Sequence, residues 1–93
     1  MPPGLDDIVP GYLANRRKEV AEMGELLAAS DFARLSFLGH NLKGTAAGYG
    51  FPDLTRLGAA LERSAEEADC GTLRTLMTEL SNYLDQVQLI ATS

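Results

Sequence analysis

Apolar residues recur along this chain at helical spacing, in four runs parted by short polar or glycine-containing breaks. A helix turns about 100° per residue, so side chains three and four apart share a face. Residues 1–4, with two prolines, are expected to form a flexible lead-in, and Leu5 to Val9 a short helical turn. Pro10 suits the first position of a helix, where its missing N–H costs nothing. From there to Ala29, Leu13, Val20, Met23 and Leu27 form one stripe, while Arg16, Arg17, Lys18, Glu19 and Glu22 lie largely elsewhere. Ser30-Asp31 is a break, and either side chain is suited to cap the helix that follows. Phe32, Leu35, Gly39, Leu42, Ala46 and Tyr49 then fall within about 100° of one another, predicting a buried stripe on a helix that ends near Gly48.

Gly50-Phe51-Pro52-Asp53 is the next punctuation, with glycine past one helix and proline opening the next. A third helix carries Leu54, Leu57, Gly58, Leu61 and Ala65 and is expected to end near Asp69-Cys70-Gly71. A fourth carries Leu73, Leu76, Met77, Leu80, Leu84 and Val87. No segment alternates with the two-residue period of a strand. Connections of about two to five residues make neighbouring helices antiparallel. The pattern thus predicts an all-α fold, an up-down-up-down four-helix bundle with a short N-terminal helical turn. A chain of 93 residues is expected to make one domain, spanning residues 1–93.

Charge narrows the function classes. Eight basic residues against thirteen acidic give a net charge of −5. Nucleic-acid affinity comes mostly from phosphate neutralisation, so DNA or RNA is not the expected partner. No apolar run approaches the roughly 20 residues that span a bilayer, and nothing resembles a signal peptide. The single cysteine, Cys70, has no intramolecular partner, which fits a reducing cytoplasm.

The chemistry converges on His40, the only histidine. On a helical wheel the second helix's core stripe is centred about 130° from it, so His40 points largely to solvent. Sharing its face are Ala33, Ser36, Phe37, Lys43, Gly44, Ala47 and Gly48. Most are small, and this face of the helix carries no carboxylate. A solvent-facing patch normally mixes charges; one this bare suits the docking of another protein. Glycine inside a helix costs roughly 1 kcal/mol against alanine. Gly39 has a packing reason, since it lies in the core stripe. Gly44 faces outward, and its reason is steric: another molecule must come close to the imidazole.

An imidazole has a free pKa of about 6.5 and is mostly neutral near pH 7, which makes it a good nitrogen nucleophile. A neighbouring ammonium attracts phosphoryl oxygens. Together these suit acceptance of a phosphoryl group, a reaction governed by positioning and charge neutralisation. No residues here form a recognisable metal site, so a metal would come with the partner.

The run His40-Asn41-Leu42-Lys43-Gly44-Thr45-Ala46, with Gly50, Leu54 and Leu61-Glu62 beyond it, resembles the histidine-containing phosphotransfer (HPt) domain of two-component phosphorelays. The pattern H-x-L-K-G followed by small residues is met, with Thr45 where serine or alanine is commoner. The resemblance implies that His40 takes a phosphoryl group through Nε2 from a receiver-domain aspartyl-phosphate and passes it to another receiver aspartate. Lys43 would neutralise phosphoryl charge, Gly44 would give access, and Glu62 would hold Nδ1. Ala33, Ser36, Phe37, Ala47 and Gly48 would contact the receiver, which would bring magnesium; the chain itself would bind no cofactor. A cytoplasmic, monomeric phosphocarrier without a kinase segment is the expectation. Phe37 has a second reading, as an apolar residue covered by a neighbouring helix or by the N-terminal turn. The chain as a whole also has one: a helical adaptor that binds receivers without phosphotransfer.

Overall fold

The computed structural model describes the backbone of residues 3–92 and the side chains of residues 11–87. Among the described residues there are four helices and no strand: α1 (Pro3–Ala28), α2 (Phe32–Tyr49), α3 (Pro52–Glu66) and α4 (Cys70–Thr92). Connections of three, two and three residues leave each helix no room but to turn back along its predecessor. Contacts run α1 to α2, α2 to α3, α3 to α4 and α4 to α1, so α2 lies diagonal to α4. The expected antiparallel four-helix bundle is the fold.

The separate N-terminal turn is corrected. One helix runs from Pro3 through Pro10 without a break. Proline has a helical φ of its own, so the helix can run through it, although its ring removes one hydrogen bond to the carbonyl four residues earlier and crowds that carbonyl, at a cost of about 3 kcal/mol. Of the expected flexible lead-in, Met1 and Pro2 lie outside the described residues, while Pro3 and Gly4 open α1.

Each of the first three helices ends in the same device. Ser30 N–H donates to Leu27 O and Asp31 N–H to Leu26 O; Ala68 and Asp69 do the same to Ala65 O and Ser64 O, and Gly50 and Phe51 to Ala47 O and Ala46 O. These paired bonds satisfy carbonyls the helix leaves open, and they need a left-handed residue at the bend. Gly50 supplies it at φ 77°, whereas Ser30 (58°) and Ala68 (53°) adopt it against their side chains. Asp31 and Asp69 then turn round to cap the next helix. Asp31 Oδ1 accepts from Arg34 N–H at 3.1 Å, and Asp69 Oδ1 from Thr72 N–H at 3.1 Å. The third helix therefore stops at Glu66, short of the expected Asp69, and Cys70 opens α4 rather than sitting in a turn.

The core is built of Leu13, Met23, Leu27, Leu35, Leu42, Leu54, Leu57, Leu61, Leu73, Leu80 and Leu84 with their neighbours. Two assignments on α2 change. Leu38 is buried, and Tyr49 is 39% exposed rather than core. Tyr49 stacks on Tyr12 of α1, ring centroids 4.3 Å apart, and covers the end of the bundle. Tyr12 itself is buried, its ring also facing Phe51 at 6.1 Å.

The closest packing joins α2 to α3. A Cβ added at Gly39 would lie 2.6 Å from Glu62 N, and one added at Gly58 would lie 2.5 Å from Lys43 N. Both are impossible contacts, so only hydrogen at these two positions lets the backbones touch. This contact brings the helical turn bearing Glu62 against the turn bearing His40 and Lys43.

Candidate functional site

His40 stands on the outer face of α2 with its side chain 63% exposed. Glu62 reaches it from α3, placing Oε2 3.0 Å from Nδ1. The other carboxylate oxygen, Oε1, accepts from Lys43 Nζ at 2.9 Å. One carboxylate thus ties together the imidazole and the ammonium, which lie one turn apart on α2. The Lys43 hydrogen bond holds the Glu62 carboxyl below its usual range; partial burial opposes this, and the charge of Lys43 and the bond to His40 add to the lowering.

An ionised carboxylate only accepts hydrogen bonds. Nδ1 is therefore the protonated nitrogen of the neutral ring, and Nε2 keeps its lone pair. The exposed ring thus presents its unprotonated nitrogen away from Glu62. The expectation for Glu62 as the Nδ1 partner agrees with this geometry. Lys43 differs from the sequence reading, which treated it as a solvent-facing neighbour: it is bonded to Glu62 and 39% exposed. The wheel of one helix carried no carboxylate here because the carboxylate comes from another helix.

Around His40 the surface is as bare as the sequence implies. A Cβ at Gly44 or Gly48 would meet nothing within 4 Å, so no internal contact requires either glycine. Ala33 and Ala47 are exposed and Ser36 is half-buried. Phe37 is 50% exposed, which removes its reading as a covered core residue. Its ring instead lies under the Arg34 guanidinium, 5.0 Å from the centroid, and Arg34 reaches Glu22 on α1 at 3.5 Å.

Sequence reasoning missed the brace on the other flank of α2. Thr45 donates to Asn41 O at 2.9 Å. Its oxygen lies 3.0 Å from Tyr12 Oη, which is left to donate to it, and accepts from Arg16 at 3.3 Å. Arg16 also sits over the Tyr12 ring at 4.7 Å and pairs with Glu19 at 2.9 Å. Burial holds the Glu19 carboxyl above its usual range, against the pull of Arg16. A tyrosine beside the Leu13 stripe was the available signal, since a buried tyrosine seeks a partner for its hydroxyl. With Thr45 braced on α1 and Gly39 seated on α3, the turn carrying His40 is held from both sides.

A family model for the Hpt domain matches residues 8–89, a span that contains His40, Lys43 and Glu62. No curated protein and no solved structure matches the chain. Hpt domains serve histidine phosphotransfer in phosphorelays and interact with receiver domains. The four helices and the match across most of the sequence agree, and this chain belongs to the Hpt domain family.

Proposed function

We propose that His40 accepts a phosphoryl group from a receiver-domain aspartyl-phosphate and returns it to a second receiver aspartate. The observation that carries the reading is the Glu62 bridge: it leaves the Nε2 lone pair facing outward and sets an ammonium beside it.

In the forward step Nε2 forms a bond to phosphorus, the phosphorus–oxygen bond of the acyl phosphate breaks, and the aspartate leaves as a carboxylate. The ring becomes cationic, with its proton still on Nδ1, and the Glu62 carboxylate offsets that charge. Lys43 has a second anion within reach in this state, and its ammonium is suited to swing from Glu62 Oε1 toward a phosphoryl oxygen. In the return step an aspartate oxygen attacks phosphorus, the nitrogen–phosphorus bond breaks, and the electron pair returns to Nε2. Magnesium would come with the receiver, and Glu62 serves Nδ1 and Lys43, which engage both of its oxygens. The docking residues Ala33, Ser36, Phe37, Ala47 and Gly48 surround His40, and Gly44 opens the approach. A single cysteine with no partner fits a cytoplasmic setting for the exchange.

The test is a phosphotransfer profile against a panel of phosphorylated receiver domains. At least one receiver is expected to label the native chain with an acid-labile, base-stable phosphoryl linkage, and His40→Gln is expected to take none. Equal labelling of His40→Gln would sink the reading; binding of receivers without any label would favour a helical adaptor.

A further inference from the structure

The surface beside His40 is not symmetric along α2. Phe37 projects three residues before His40, about 4.5 Å along the axis. Seven residues after His40, about 10 Å in the other direction, the surface sinks into an open hollow of about 320 Å³. Among the described residues its walls are Ala47, Gly50, Phe51, Pro52 and Thr55, with no charged side chain. The one hydroxyl among them, on Thr55, donates to Phe51 O at 3.1 Å. The hollow therefore offers an occupant apolar walls and a hydroxyl proton that is already used.

We propose that this hollow receives an apolar side chain of the receiver that docks over His40, and so fixes which way round the receiver sits. The inference rests on the phosphotransfer reading above. Three features argue for this occupant. Ala47 belongs at once to the wall of the hollow and to the face of His40, so the two surfaces are continuous. Gly44 and Gly48 lie along the path between them, and neither raises a side chain. A standard interface covers about 800 Å² per partner, a disc of about 16 Å radius, so a partner centred on His40 extends over the hollow. Phe37 lies within the same disc on the opposite side. A partner that fits the projection and fills the hollow does so in one orientation; turned end for end, it sets its own projection against Phe37.

The probe is the receiver domain of the panel that binds the native chain most tightly, whether or not it labels His40, titrated against the native chain and against Ala47→Glu and Thr55→Glu. Thr75→Glu serves as control; it is exposed on α4, diagonal to α2. Helical content is checked for each by circular dichroism. Ala47→Glu and Thr55→Glu are each expected to raise the Kd for the receiver about tenfold or more, while Thr75→Glu leaves it within twofold. The rate of single-turnover labelling at saturating receiver should change far less than Kd for Thr55→Glu, which lies in the hollow and outside the face of His40. Native Kd in both hollow variants overturns the proposal while leaving phosphotransfer intact. Loss of self-association in these variants, with receiver binding unchanged, also overturns it and assigns the hollow to a second copy. Weakened receiver binding in a chain that never takes label at His40 keeps the docking inference and removes the phosphotransfer reading.

Discussion

Glu62 is the residue that joins His40 to Lys43. Its two oxygens lie 3.0 Å from His40 Nδ1 and 2.9 Å from Lys43 Nζ. Without it the imidazole loses the bond that selects its tautomer, and Lys43 becomes a mobile surface cation. Glu62→Ala is therefore expected to let the ring protonate at either nitrogen, a change that nitrogen-15 NMR of the imidazole reads directly. Labelling of His40 should slow by on the order of tenfold, the scale of losing a charge-assisted hydrogen bond at a reacting group. Native tautomer ratios in Glu62→Ala would show that something else holds Nδ1. The sequence disclosed His40, Lys43 and Gly44 because they share one helix, where spacing converts directly into geometry. Glu62 was named only through family resemblance, since helix-to-helix register is set by packing that no single wheel displays.

At the scale of the element, register comes from two glycines on facing helices. Gly39 and Gly58 remove the Cβ atoms that would otherwise meet backbone at 2.6 and 2.5 Å. Gly58→Ala must push α3 off α2, because the obstructing atoms are backbone and cannot rotate away. It is expected to cost about 1–3 kcal/mol in denaturant unfolding, the scale of overpacking, and to lengthen the Glu62 bridge enough to slow labelling. A native stability in Gly58→Ala would remove this account of the register. Both glycines fell on the apolar stripes, but only for Gly39 was a packing role read from the sequence. The bends were less legible. Ser30 and Ala68 carry left-handed φ values that side chains resist, and nothing in either residue type announces it. Their conformation follows from the paired carbonyl bonds and from the caps at Asp31 and Asp69 on the far side. Ala68→Gly is accordingly expected to raise stability by about 0.5–1 kcal/mol, the relief of left-handed strain less the extra entropy of an unfolded glycine. A lower unfolding midpoint would mean that Ala68 is not strained. Pro10 erred in the other direction: proline suits the first turn of a helix, but this helix runs through it despite the lost bond and the crowding of the carbonyl four residues earlier.

For the whole molecule the question is how a small bundle with a net charge of −5 holds its acidic groups, and pH answers it. Glu62 and Asp69 are both held below their ordinary values, Glu62 chiefly by Lys43 and Asp69 chiefly by the hydroxyl and N–H of Thr72. A carboxyl lowered in the folded state binds its proton more readily when unfolded. Its contribution is therefore present above the ordinary value and is lost as pH falls through the lower folded one. Glu19 is shifted the other way by burial, so the folded chain takes up that proton first, and stability tied to it falls as pH rises from the ordinary value through the raised one. The two signs separate in difference measurements. Asparagine keeps a capping oxygen but does not titrate, so the melting temperature of the native chain less that of Asp69→Asn should be full at pH 6 and shrink as pH drops below 3.8. The same difference taken against Glu19→Gln should move oppositely, rising as pH falls toward 4.5. A difference for Asp69→Asn that grows in acid would contradict the cap, because the only route to that sign is a carboxyl easier to protonate folded than unfolded. The molecule thus carries its acid sensitivity at the Asp69 cap of α4 and at Glu62, while the leucine core contributes at every pH alike.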